Sequence, residues 1–296
     1  MRLTLIPYLA RRVLQTSKVT ILVYHRPSAE MLERHAAFLQ RAYNLISLRR
    51  FVEARSRGAL HTLPPRSLVI TFDDGHRSNY ELLPVLERLA APPTIFVCSG
   101  IVDTNRRFWF NMVRHPEALK LVPDRERVAV LDALLTSDGN PSERDALSRA
   151  ELNELRRVAD IQAHTVTHPI LPACSPEKAE QEIREVKADL EKGYGLDVYA
   201  IAYPNGDYSD RDVRLAGEAG YACALTLDLG FNDASTDLLR LRRTPVQDDD
   251  DVHVLAVKAC GVWGALRGVF WSIRRKPPPH GHWDTARQEA MAQAPR

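Results

Sequence analysis

A chain of 296 residues, 45% hydrophobic and 26% charged, can bury a full core, which excludes a disordered or fibrous polymer. Its 40 Lys and Arg against 38 Asp and Glu leave a formal charge of +2, too small a field to grip a phosphate backbone along a track, so no nucleic-acid partner is expected. Cys98, Cys174, Cys223 and Cys260 lie far apart with no Cys-x-x-Cys pair, which excludes a zinc ribbon or a disulfide framework and reads as packed thiols.

In chain order, the N-terminal segment 1–18 meets Pro7, Arg11 and Arg12 before any apolar run long enough for a secretory signal, and no window approaches the ~20 apolar residues of a membrane span. The expected location is therefore the cytoplasm, with peripheral contact at the inner face of the membrane as a variant. Short apolar, β-branched runs at 19–24, 68–72, 94–97, 160–163, 199–203, 222–226 and 239–242 read as strands. Helical spacing between several of them predicts β/α units around a parallel sheet or barrel. Leu82, Val85, Leu86 and Leu89 form one helical stripe, with Pro84 tolerated in its first turn. Ser175-Pro176-Glu177 is an N-cap and first turn, after which Ala179, Ile183, Val186 and Leu190 form a second stripe before Gly193.

Residues 98–159 are too many for a simple crossover helix and predict an insertion near 101–150, with helices near 126–135 and 151–158. The domain is expected to run over 19–260. In the remaining segment, 261–296, Trp263, Leu266, Phe270 and Ile273 make a stripe flanked by Arg267, Arg274, Arg275 and Lys276. It either packs on the barrel or lies on an anionic membrane surface, and Gly261, Gly264 and Gly268 weaken it as a helix. Pro277-Pro278-Pro279 then opens a polar tail.

Chemistry concentrates in two places. Thr71-Phe72-Asp73-Asp74-Gly75 ends a buried strand. Two adjacent carboxylates there cannot both be buried cheaply as bare charges, so one needs a cation. Alone, Asp-Asp-Gly is more often an acidic turn than a site. His164-Thr165-Val166-Thr167-His168 follows another strand, and an i, i+4 pair on one helical turn puts both imidazoles on one side before Pro169 stops the helix. Two histidines and a carboxylate at strand ends make a metal site with open positions, on the face of a β/α barrel where catalysis belongs.

In these motifs the chain resembles the polysaccharide deacetylases of carbohydrate esterase family 4, the NodB-homology domain. Ala202-Tyr203-Pro204-Asn205-Gly206-Asp207, Ala219-Gly220-Tyr221 and Val23-Tyr24-His25 extend the likeness over about 20–246. The resemblance implies an irregular (β/α)7-type barrel and a divalent metal, zinc, held by Asp74, His164 and His168. It implies Asp73 as the base for metal-bound water, and the Asn205 N–H after Pro204 as an oxyanion donor. Tyr203, Pro204 and Asn205 are then candidates for substrate contact.

Two positions depart from the family. Ala202 stands where many members carry an arginine that orients the base, and no late Leu-x-His acid motif follows Leu225. His253 reads as a helix start after the acidic run 248–251, which leaves His25 and His76 as histidines that could approach the pocket. Trp109, within Phe108-Trp109-Phe110 and after Arg106-Arg107, either stacks on a sugar or lipid tail or is buried in the insertion.

The function expected is removal of N-acetyl groups from amino sugars of an envelope polysaccharide precursor or lipid-linked saccharide. Alternatives are a deformylase or cyclic amide or imide hydrolase on the same fold, and a catalytically degenerate carbohydrate-binding protein. An Fe(II) oxygenase would also use two histidines and a carboxylate, but on a β-sandwich without these helices.

Overall fold

Eight strands, each paired in parallel, form one curled sheet in the computed structural model, which describes residues 15–114, 116–138, 144–261 and 263. They are β1 (Thr20–Tyr24), β2 (Asn44–Leu45), β3 (Ser67–Phe72), β4 (Thr94–Val97), β5 (Asp160–Ala163), β6 (Ala200–Ala202), β7 (Cys223–Leu225) and β8 (Thr244–Pro245). The order is β7-β6-β5-β4-β3-β1-β8, with β2 beside β3. The helices are α1 (Ala29–Ala42), α2 (Leu48–Ser56), α3 (Leu83–Leu86), α4 (Pro116–Leu119), α5 (Asp124–Asp138), α6 (Arg149–Leu155), α7 (Pro176–Tyr194), α8 (Asp210–Glu218) and α9 (Val252–Ala259).

The strands are apolar on both faces because both faces are covered. Ile21, Val69, Phe96, Ala200, Ala202 and Leu225 pack inside the curl, while Leu22, Ile70, Phe72, Ile95, Ile161 and Ile201 meet the helices outside. The segment 241–245 draws the sheet round. Leu241 bridges Leu225 at the β7 edge, and Thr244 and Pro245 pair with Leu22 and Val23 of β1. This is the barrel-type architecture expected.

Several elements differ from expectation. The run 239–242 is not a strand but begins as a 3-10 turn, Leu238–Arg240, because the Asp237 carboxylate accepts the Leu239 N–H at 2.9 Å. The stripe starting at Leu82 stops after one α-turn at Leu86, and a 3-10 stretch, Arg77–Leu82, precedes it. Helix α7 starts at its Ser175 cap but passes Gly193 and ends at Gly195, which takes the left-handed conformation, φ 62°. Helix α1 carries a legible stripe, Met31, Leu32, His35, Ala36 and Leu39, behind the Ser28 cap, although no helix was expected there.

The insertion docks onto the loop after β3. Leu147 N–H donates to Gly75 O at 3.0 Å and Arg77 N–H to Asp145 O at 2.9 Å. Helix α6 begins with a reciprocal Ser148–Glu151 capping box. The C-terminal stripe from Leu266 onward and residues 1–14 lie outside the described residues. No helix among those described is long and apolar enough to cross a membrane.

The turn after β3 depends on two consecutive left-handed residues, Asp74 (φ 73°) and Gly75 (φ 71°). A Cβ on Gly75 would lie 2.7 Å from Val97 Cγ1. Gly75→Ala is therefore expected to lose about 2 kcal/mol or more of stability in urea unfolding, from the unfavourable φ and the clash together. A loss under about 0.5 kcal/mol would contradict this reading of the turn.

Candidate active site

Because β3, β4 and β5 are neighbours in register, the two motifs leave the same edge of the sheet side by side. Asp73 and Asp74 are each 3% exposed, yet each has its own counter-charge.

Asp74 Oδ1 lies 3.3 Å from His164 Nε2 and 3.2 Å from His168 Nε2, and Oδ2 accepts from His76 Nε2 at 2.9 Å. Burial opposes ionisation of Asp74, but the imidazoles around it outweigh burial and hold its carboxyl well below the ordinary range. His164 Nδ1 lies 2.9 Å from Ala202 O. A carbonyl can only accept, so Nδ1 carries a proton and Nε2 is the nitrogen that faces Asp74; burial lowers the ring's pKa, but Asp73 and Asp74 outweigh it and raise the group above its ordinary value. Burial keeps the His168 ring below its usual pKa, despite the neighbouring Asp74.

The His164–His168 segment is not the helical turn expected from its spacing. Thr165 (φ 66°) and His168 (φ 58°) are left-handed. The cause is Glu182 of α7, whose buried carboxylate accepts Val166 N–H and Thr167 N–H, each at 2.8 Å, and Thr167 Oγ1–H at 2.6 Å. Those donors are therefore withdrawn from any helical ladder. The rings nevertheless meet, with centroids 4.9 Å apart.

The donor set fits a divalent cation. One atom each from Asp74, His164 and His168 lie within 4.8 Å of one another. Asp74 Oδ1 and His168 Nδ1 are buried without a hydrogen-bond partner. A buried carboxylate oxygen with no hydrogen-bond partner and two imidazole nitrogens facing it is satisfied by a positive charge placed among the three. Two imidazoles and a carboxylate with open positions suit zinc and its neighbours in the first transition row.

Asp73 pairs elsewhere. Arg243 Nη1 and Nη2 donate to its two oxygens at 2.7 and 2.9 Å. This fully buried arginine is anchored by Nε to Thr226 O at 2.9 Å. Burial pushes the Asp73 carboxyl up, but Arg243 and then His164 overcome it, leaving the group below its ordinary value. Arg243 thus supplies Asp73 with the guanidinium that Ala202 cannot, from the segment that closes the barrel. Sequence reasoning missed it. No local pattern pointed to it, since Arg243 follows another arginine and stands just before the two-residue strand β8.

The remaining candidates sort by position. Tyr203 is fully buried, its hydroxyl donating to Leu239 O at 3.1 Å, so its ring offers no sugar platform. Pro204 is buried too, and Asn205 (φ 58°) turns the chain, its half-buried side chain donating to Asp207 Oδ2 at 2.5 Å. Trp109 is also buried and donates Nε1–H to His168 O at 2.8 Å, bracing the histidine loop. Phe110, half-buried and 5.0 Å from the His168 ring, is the aromatic that edges the site. His76 is committed to Asp74, and His253 begins α9, where Asp251 caps it. His25 follows β1, and its backbone carbonyl accepts from Asn79 Nδ2 at 2.8 Å.

A family model described as polysaccharide deacetylase matches residues 61–224. The Bacillus subtilis (strain 168) protein YxkH, which bears a polysaccharide deacetylase name, is 20% identical over 183 residues, 61% of this chain and 52% of that protein. The chain thus spans about half the length of this curated relative. Among solved structures, the Streptococcus pyogenes deacetylase PplD in complex with acetate is similar with a TM-score of 0.62 and 22% identity, over 82% of this chain and 98% of that one. IcaB from Ammonifex degensii gives 0.60 and 18%, over 83% and 98%. At such identities the structural likeness speaks for the fold alone.

Two outcomes follow from this geometry. Titrating zinc or cobalt into metal-stripped protein should raise Tm, by about 2.7 kcal/mol of stability at a hundredfold excess over Kd, and His168→Ala should abolish that gain. Arg243→Met should cost about 3–5 kcal/mol at pH 7, because it strands a buried carboxylate, and much less in an Asp73→Asn background. The folded Asp73 pKa lies below the unfolded one, so its stabilisation is complete above about pH 4 and is lost as pH falls through the folded value. Chemical denaturation across pH measures this directly.

Proposed function

The chain belongs to the polysaccharide deacetylase family, and from that membership and the site's geometry we propose that it is a metal-dependent hydrolase removing N-acetyl groups from amino sugars. The observation that carries this reading is the split between two adjacent carboxylates: Asp74 turned to two imidazoles, Asp73 turned to a buried arginine. One carboxylate is committed to holding a cation and the other is kept ionised beside it, as an acceptor of protons. Zinc is the metal we propose.

When bound by Asp74, His164 and His168, a divalent cation polarises an amide carbonyl and brings the pKa of water down toward ~7. Asp73 accepts the proton of the attacking water, and Arg243 fixes which oxygens face the cleft and keeps the base charged. In the left-handed turn at Asn205 the Gly206 and Asp207 N–H groups already donate to Tyr203 O and Pro204 O, so the Asn205 N–H is the donor for the negative charge that develops on the carbonyl oxygen. His25 is the histidine left to protonate the departing amine, since His76 is held by Asp74 Oδ2 and His253 lies in the first turn of α9, behind its Asp251 cap. Phe110 and the buried wall behind it limit water at the metal side.

Ala202 had favoured a carbohydrate-binding protein without turnover. Arg243 answers that part of the argument, because the base has its guanidinium from the residue just before β8, and the missing Leu-x-His motif is the part that remains. For the substrate we propose an envelope polysaccharide precursor or a lipid-linked saccharide.

Zinc-loaded protein incubated with N-acetyl, N-formyl and cyclic imide compounds tests the reading. Acetate release from N-acetyl oligosaccharides is expected, with Asp73→Asn and His25→Ala each lowering kcat by about 10²–10⁴ while metal binding persists. Release of formate alone would move the protein to the deformylases, and glycan binding without any release would contradict hydrolysis.

A further inference from the structure

Behind the histidine loop lies a cavity of about 570 Å³ between that loop, helix α5 and the segment before α4. Its size falls in the range of small-molecule sites, about 300–1,000 Å³. The apolar part of the wall comprises Ile101, Trp109, Met112, Val128 and Leu131. Thr167 and Pro169, on either side of His168, complete the wall nearest the site.

The cavity also contains a built cation. Arg127 is 1% exposed, and its Nη2 pairs with Asp124 while Nη1 is buried without a hydrogen-bond partner. Its guanidinium lies 5.3 Å from the Trp109 ring centre. A buried guanidinium with an unbonded amino group is costly unless an acceptor reaches it. Arg106, Arg107 and Lys178 add positive charge to the lining, against the carboxylates of Asp124 and Asp132. Lys178 is shared with Glu182 and Arg107 with Asp145, so Arg106 and the free side of Arg127 are the positive groups left to a ligand.

An apolar wall with a desolvated guanidinium selects an anionic amphiphile. Phosphate is the anion whose oxygens match arginine's paired donors. We propose that this cavity binds the phosphate ester of a lipid-carried saccharide, with the phosphate on Arg127 and the hydrocarbon along Trp109, Met112 and Leu131. The inference rests on the hydrolase reading and deepens it, since a sugar on that phosphate is delivered beside His168. Trp109 couples the two regions, because the ring that walls the cavity also holds the His168 carbonyl.

Calorimetric titration of the zinc-loaded protein with farnesyl phosphate, farnesol and inorganic phosphate tests the proposal. Farnesyl phosphate is expected to bind at least about tenfold more tightly than either of the others, about 1.4 kcal/mol. Arg127→Gln should remove that advantage. Arg106→Glu, an exposed substitution that the fold tolerates, should weaken farnesyl phosphate binding by about tenfold as well. Equal affinity for farnesyl phosphate and inorganic phosphate, affinity unchanged by both substitutions, or no binding would each overturn it. Acetate release from a soluble N-acetyl oligosaccharide, followed in parallel, separates the two readings: turnover without farnesyl phosphate binding overturns the lipid-phosphate pocket and leaves the hydrolase standing.

Discussion

Two adjacent carboxylates buried at the end of one strand are the constraint on which this structure turns. Neither Asp73 nor Asp74 can be ionised in a dry cleft without a counter-charge, and a single cation could not neutralise both from one direction. The left-handed turn at Asp74 and Gly75 points them apart. Asp73 then meets Arg243, and Asp74 meets three imidazoles. The proposed division of labour between a base and a metal ligand rests on that divergence.

The supports around this division are themselves buried and polar. Glu182 occupies the backbone donors of the histidine loop, Trp109 holds its last carbonyl, and Ala202 O fixes the His164 tautomer. Each support comes from a different element: α7, the insertion and β6. The insertion is therefore part of the site's scaffold, since it braces His168 through Trp109 and hydrogen-bonds the loop after β3 through Leu147. The same packing lines the cavity at Arg127, so that cavity and the His168 loop share a wall.

Much of this was legible in the sequence. Buried parallel strands read as continuous β-branched runs, so β1, β3, β4 and β5 were found almost to the residue. The metal-site residues were found because Asp-Asp-Gly and His-x-x-x-His place ligating types at strand ends. Local patterns fail where partners are distant. Arg243 lies 170 positions from Asp73, and nothing near it in the chain demands a carboxylate. The histidine loop was misread as a helical turn because Glu182, which takes its N–H groups, belongs to another element. Trp109 and Tyr203 were candidates for substrate contact, but both are buried, each with its polar tip on a backbone carbonyl. An aromatic residue's sequence does not say which of its edges faces water.

A crystal structure of the zinc-loaded protein measures the central claim most directly. The account predicts one cation held by Asp74, His164 Nε2 and His168 Nε2, with Asp73 off the metal and still paired through both oxygens to Arg243. A metal bound by Asp73, or an Asp73 carboxylate released from Arg243 and turned to the cation, would contradict it.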